Sequence, residues 1–232
     1  MNHMIEKIKI LPEIYILMAV TVFALAIVEF FQLDFIFANW IYLPTNSWLY
    51  QDHWFTNLVV HRWGKYTLIL LYLFLLIKFI FRDKNQENQF SRYGKIVFLV
   101  SLLLGTACVS FLKHFMNADC PWDLLQYGGN KPFMPFYRYD TSSFSSSHCF
   151  PSGHASSAFT WISLYFYTSI YCPKLRFKVL AAILIVGFGF GLSQQFRGAH
   201  FISHDLYSLL VCLIVNIVVY KLAFRKTGFG VK

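Results

Sequence analysis

Short polar clusters interrupt an otherwise apolar chain, and their residue types suit one chemistry. Pro151-Ser152-Gly153-His154 opens one hydrophobic run, and Lys113 closes another. Arg197 and His200 lie between two runs, and His204 and Asp205 open the last. Together they offer two cations, two to three imidazoles, a hydroxyl and a carboxylate. That set suits a phosphate ester. Lys113 and Arg197 can neutralise phosphate oxygens, arginine with a fork that matches two of them. The Pro-Ser-Gly-His turn leads into a helix start, whose first N–H groups favour an anion. Gly153 lets backbone come close to the phosphate. One imidazole can attack phosphorus while another protonates the leaving oxygen. Asp205 can hold the attacking ring in the required tautomer. The cations and dipoles suffice to stabilise the developing charge, so neither metal nor cofactor is called for.

These clusters meet only if the elements that carry them bundle at one end. The chain has 232 residues, a mean hydropathy of +0.50 and 13% charged residues. A soluble domain carries about 25% charged residues, so the composition points to an integral membrane protein. Six apolar segments can be drawn: Leu11–Phe31, Tyr66–Phe81, Ile96–Phe115, Ala155–Tyr171, Val179–Ser193 and Ser203–Phe224. They lack the alternation of barrel strands, so the predicted fold is all-α, with six transmembrane helices in one bundle. The first is read as an uncleaved span, since no small-residue cleavage site closes it. Residues 1–232 form a single domain without internal repeats.

Orientation follows from the basic residues. Thirteen of the twenty, among them Lys7, Lys9, Arg82, Lys84, Lys226 and Lys232, fall on one side with both termini. Six fall on the other, including Arg62, Lys65 and Arg138. Both termini are therefore expected in the cytoplasm and the polar clusters outside. Gln32 to His61 is expected to lie along the interface. Asn117 to Phe150, with a serine-rich tract from Thr141 to Ser147, is expected to be an irregular loop. The net charge of +9 is spread in short groups between apolar runs, unlike the clustered basic face of a nucleic-acid binder.

Phe150-Pro151-Ser152-Gly153-His154 resembles the PSGH motif of the type 2 phosphatidic acid phosphatase superfamily of membrane lipid phosphatases. That family's pattern is a lysine, six residues and Arg-Pro; then PSGH; then Ser-Arg, five residues, His, three residues, Asp. Here six residues separate Lys113 from Cys120-Pro121, and Ser193-Gln194 precedes His200 at the family spacing. The resemblance implies that Lys113, Ser152 and Gly153 contact phosphate. It implies that His154 protonates the leaving group and that His200 forms a phosphohistidine. Three positions depart from the pattern. Cys120 and Gln194 stand where the family has arginine, and His204 stands where it has aspartate. Arg197, one turn beyond Gln194, can supply charge on the same helix face. Asp205 can orient His200 through a small shift of the helix start; alternatively His204 does so as a neutral acceptor.

Cys120 and Cys149 fall in the same outer loop, where an oxidising compartment permits a disulfide between them; two free thiols is the other reading. No CxxC pair or zinc spacing is present. Trp122 either shapes the headgroup pocket or anchors at the interface. The expected protein is a bacterial inner-membrane phosphatase with a periplasmic site, acting on a phosphorylated lipid among membrane lipids. Phosphatidic acid, phosphatidylglycerol phosphate, undecaprenyl diphosphate and lipid A all satisfy that description. A lipid phosphotransferase, or a lipid-binding protein that has lost catalysis, are the alternatives.

Overall fold

Hydrocarbon offers backbone N–H and C=O groups no partner, so an apolar chain must satisfy them internally. The computed structural model describes residues 12–81, 89–116, 118–135 and 147–225. Among these residues the backbone is helical with loops, and its β-type pairing is an isolated bridge between Leu124 and Lys131. The main helices are α1 (Pro12–Phe30), α2 (Leu33–Tyr42), α3 (Phe55–Ile80) and α4 (Gln89–Phe115). They are followed by α5 (Gly153–Phe159), α6 (Ile162–Tyr171), α7 (Arg176–Phe196) and α8 (Ile202–Arg225). Five helical stretches, carried by α1, α3, α4, α7 and α8, are long and apolar enough to cross a membrane.

The fourth predicted segment, Ala155–Tyr171, is not one continuous helix. It divides into α5 and α6 at Thr160-Trp161, where tightened i→i+3 bonds replace the helical ladder: Trp161 N–H to Ala158 O at 3.0 Å and Leu164 N–H to Trp161 O at 2.7 Å. The Thr160 hydroxyl leaves its own helix and donates to Leu102 O of α4 at 2.8 Å. This broken pair is the centre of the bundle. Phe159, Ile162 and Tyr165 have no exposed surface, and Leu209, Cys212 and Leu213 of α8 close around them with Phe98, Leu102 and Val109 of α4. Within this core Ser101 Oγ donates to Asn216 Oδ1 at 2.8 Å.

The second predicted segment also needs correction. It starts at Tyr66, whereas α3 begins at Phe55, with a π-helical stretch from Phe55 to Gly64. Hydropathy falls at Thr56, Asn57, His61 and Arg62, yet a helix needs only satisfied backbone groups, not apolar side chains. The stretch Gln32 to His61 therefore contains α2 and the first turns of α3. The loop after α4 has order of its own. Trp122 N–H donates to Gly198 O at 2.9 Å, and Trp48, Leu124, Tyr127 and Phe201 form a small second core beneath it.

The two ends of the bundle sort by contact. At one end Tyr93 OH of α4 donates to Ala223 O of α8, and Tyr171 OH of α6 to Phe90 O of α4, both at 2.7 Å. Arg176 of α7 and Glu13 of α1 pair there at 3.1 Å. The end of α4 and the starts of α3, α5 and α8 consequently meet at the opposite end. Of the thirteen basic residues behind the expectation that both termini are cytoplasmic, Lys7, Lys9, Lys226 and Lys232 lie outside the described residues. Arg82, Lys84, Arg138 and residues 141–146 of the serine tract lie outside them too.

Candidate functional site

A cavity of about 670 Å³ opens at that second end. Lys113, Gly153, His154, Arg197 and His200 all line it, so four separate elements deliver the residues that the sequence singled out. The reason is topological. Each residue stands at or just beyond a helix end, and alternate crossings bring those ends together. Lys113 Nζ is the side-chain atom nearest the open face of Gly153, 3.5 Å from where a Cβ would stand. A bare glycine thus leaves the space in front of the ammonium free.

Ser152, His204 and Asp205 stand behind the cavity wall. Ser152 is fully buried and caps α5, its Oγ accepting from Ala155 N–H at 3.4 Å. Its N–H donates to His204 O at 3.2 Å, and its carbonyl accepts from Ser208 Oγ at 2.9 Å. These bonds clamp the turn to α8, so Ser152 holds the motif in place rather than facing the cavity.

His200 lies beside His204, and the Cys149 backbone carbonyl is a further partner of both rings. The two Nδ1 atoms are 3.4 Å apart, one helical turn from each other. Asp205 lies elsewhere: its Oδ2 accepts from Gln195 Nε2 at 2.6 Å, and its carboxylate sits against Gly191 of α7. One residue along a helix is a rotation of about 100°, so α8 cannot aim both side chains at His200. Burial holds the His200 imidazole well below its ordinary pKa, and the neighbouring Lys113 cation adds to the effect. The ring is neutral. When its Nδ1–H donates to His204 Nδ1, its Nε2 keeps a free lone pair.

His154 is fixed from the opposite side. Its Nε2 lies 2.7 Å from His61 O, and a carbonyl can only accept, so Nε2 carries the hydrogen. Any second proton must therefore sit on Nδ1. The His61 and His154 rings stack with centroids 4.2 Å apart. Burial lowers the His154 pKa from 6.5 to about 4, with the His61 carbonyl opposing and the Lys65, Arg197 and Lys113 charges contributing.

Arg197 caps α7 and is buried. Its Nε–H donates to Gln51 O at 2.8 Å and its Nη1–H to Gln194 Oε1 at 3.1 Å. Gln194 also lines the cavity, and its buried Nε2 has no partner. The residue at the family's arginine position thus steadies an arginine one turn later. Cys120, at the other departed position, is joined to Cys149 in a disulfide with Cα atoms 5.2 Å apart. Both cysteines border the cavity, as does Trp122. The disulfide ties the loop to the residue preceding Phe150-Pro151.

His61 and Lys65 also line the cavity, and sequence reasoning assigned neither to the site. Their only signal was four-residue spacing ahead of an apolar run, which is common at any helix start.

The fold and the cavity define an all-helical protein whose apolar helices gather cations and imidazoles at one end. A sequence model of the PAP2 superfamily matches residues 94–228, more than half the chain, and the chain belongs to that superfamily. Membership implies phosphatase-type activity on phosphorylated substrates, and with the apolar helices it points to a membrane protein. The matched residues run from within α4 past α8, leaving α1 to α3 outside. No curated protein and no solved structure matches the chain.

Proposed function

We propose that the protein is a membrane lipid phosphatase that works through a phosphohistidine on His200. The observation that carries this is the polarity of the cavity along its length. On α3 the lining runs His61, Lys65, Leu68, Ile69, Tyr72; on α4, read backward, it runs Lys113, Ser110, Val109, Thr106, Leu102. Lys113 and Leu102 are about 16 Å apart along the helix. Cations and imidazoles thus stand at one end of a groove and apolar side chains at the other, which fits an amphiphile with a phosphorylated head. The α-helical part of α3, Lys65–Ile80, has no fully buried residue and packs on the core through partly buried side chains such as Leu75, Leu76 and Phe79, so a lipid tail can lie against its cavity-facing side.

In this reading Lys113, Arg197 and the Gly153 backbone hold the phosphate, with Gln194 Nε2 as a further donor. The His200 Nε2 lone pair attacks phosphorus. The P–N bond forms as the P–O bond to the lipid breaks, and Nδ1 of protonated His154 gives its proton to the departing oxygen. Water then attacks the phosphohistidine. Its proton passes to His154, the P–N bond breaks, and inorganic phosphate leaves with both histidines restored. His204 is the orienting group. The bound phosphate dianion raises the low pKa of His154 and so favours the protonated acid. The site faces the outer side, the periplasm of a bacterial inner membrane, as the distribution of basic residues supports. The α5–α6 pair is the sixth crossing.

Phosphate release from phosphatidic acid, phosphatidylglycerol phosphate, undecaprenyl diphosphate and lipid A by the purified protein tests this. His200→Ala and His154→Ala are expected to abolish release. Activity that survives both changes would sink the mechanism. Phosphate that appears on an acceptor lipid instead of in solution would make the protein a transferase.

A further inference from the structure

Three permanent cations line the cavity: Arg197 is buried, Lys113 half-buried and Lys65 exposed at its mouth. Among the described residues none has a carboxylate within ion-pair distance. Lys65 is near enough to His61, His154 and Lys113 for like-charge repulsion. Beyond ion-pair distance Asp52 attracts Arg197 and Arg62 repels it, so the cluster stays net positive; an anion relieves it, and the amount of charge limits which anion. A phosphate monoester carries about −1.5 to −2 at pH 7. Lys113 and Arg197 already match that charge, so Lys65 is one cation more than a monoester needs.

The place of the surplus charge is specific. His61 and Lys65 lie four residues apart and both face the cavity. The His61 ring stacks on His154, and its carbonyl accepts the His154 Nε2 proton. This part of α3 therefore sits on the side of His154, where the leaving group departs, and away from His200. His61 Nδ1 is buried and has no partner. A neutral ring that carries its hydrogen there has a donor to offer. Beyond Lys65 the same stripe of α3 continues as Leu68, Ile69 and Tyr72, so whatever Lys65 holds is attached to something apolar.

We propose that Lys65 and His61 form a leaving-group subsite for a second phosphate, and that the substrate class is a lipid diphosphate. This rests on the cavity's being the lipid phosphatase site proposed above. His200 takes the terminal phosphoryl group, held by Lys113 and Arg197. Lys65 and the His61 Nδ1–H hold the inner phosphate, and His154 protonates the bridging oxygen as the P–O bond breaks. The products are a lipid monophosphate and, after water attacks the phosphohistidine, inorganic phosphate. Neither Lys65 nor His61 belongs to the segment that matches the superfamily, so this specificity is supplied by the helix that the match leaves out.

The test uses two lipids with one tail: undecaprenyl diphosphate and undecaprenyl monophosphate. The wild-type protein is expected to favour the diphosphate about tenfold or more in kcat/KM, since each charge-assisted contact is worth about that much. Lys65→Gln should lower the diphosphate-to-monophosphate ratio about tenfold, and Lys65→Arg should restore it. A ratio of one or below in the wild type, or a ratio that Lys65→Gln leaves unchanged, overturns the proposal. A binding arm keeps the two readings apart. Protection against thermal unfolding by inorganic pyrophosphate should exceed that by inorganic phosphate in the wild type, and Lys65→Gln should remove the difference. If neither lipid is turned over, the phosphatase reading falls and pyrophosphate protection still decides the subsite. Equal protection by the two anions then refutes it.

Discussion

In the proposed reading Arg197 supplies the charge of an arginine missing from its family position, and its donors can be counted. A guanidinium has five N–H donors. Gln51 O takes one and Gln194 Oε1 takes another, which leaves roughly three for a phosphate. The group is only 7% exposed, so these donors are held in place and shielded from water. Removing one preorganised donor of this kind costs about 3–4 kcal/mol, or roughly 10²- to 10³-fold in kcat. Arg197→Gln is expected to lose that much. Arg197→Lys keeps the charge, but a single ammonium cannot bond Gln51, Gln194 and two phosphate oxygens together, so a loss of about tenfold or more is expected. Gln194→Arg combined with Arg197→Gln returns the guanidinium to the family position and should recover activity to within about tenfold of wild type. Initial rates of phosphate release in detergent micelles give kcat/KM, and thermal melting of each variant checks the fold. Arg197→Gln within about threefold of wild type would show that this guanidinium does not hold the phosphate.

Other expectations follow from the remaining contacts. The Cys120–Cys149 disulfide closes a loop with a sequence separation of 29. Chain entropy puts its stabilisation at about 3.6 kcal/mol, so the double Cys→Ser variant should melt about 7–14 °C lower; an unchanged melting temperature would refute that account. His204→Ala removes the neutral hydrogen bond to His200 and should lower kcat up to about tenfold. Asp205→Asn leaves His200 untouched and should be felt first in the melting temperature, through the bond to Gln195; a larger fall in kcat from Asp205→Asn than from His204→Ala would restore the aspartate as the orienting group. His154 has a folded pKa of about 4 against an ordinary 6.5. The unfolded chain takes up its proton first as pH falls, so this residue's contribution is complete above about pH 6.5 and is lost as pH drops toward about 4. NMR titration should find that low value in the empty protein and a higher one with orthovanadate bound; a value that vanadate does not move would contradict anion binding beside the ring.

Part of the site was legible in the chain because its chemistry is written in short local spacings. Lys113, Gly153, His154 and His200 stand at the ends of apolar segments, and helices that alternate through a bundle must gather such ends. Arg197 was legible for a similar local reason. Three residues on a helix keep one face, and the structure places Arg197 on the cavity with Gln194, hydrogen-bonded to it. The break in the fourth segment was not legible. An apolar run looks the same whether or not Thr160 gives its hydroxyl to Leu102 O on another helix. The start of α3 was missed because hydropathy marks where side chains turn polar, whereas the backbone ladder continues through Thr56, Asn57 and His61.

By itself, then, the sequence determined an all-helical apolar chain with the PAP2 motif residues at one set of helix ends, because periodicity, charge and motif spacing are local properties. Only the tertiary structure decided which side chains share the cavity. It chose His204 over Asp205 beside His200, since a rotation of about 100° per residue separates them on α8. It placed Ser152 behind the wall as a cap. It brought His61 onto His154 across 93 residues of chain, a contact no spacing encodes because it depends on how α3 lies against α5.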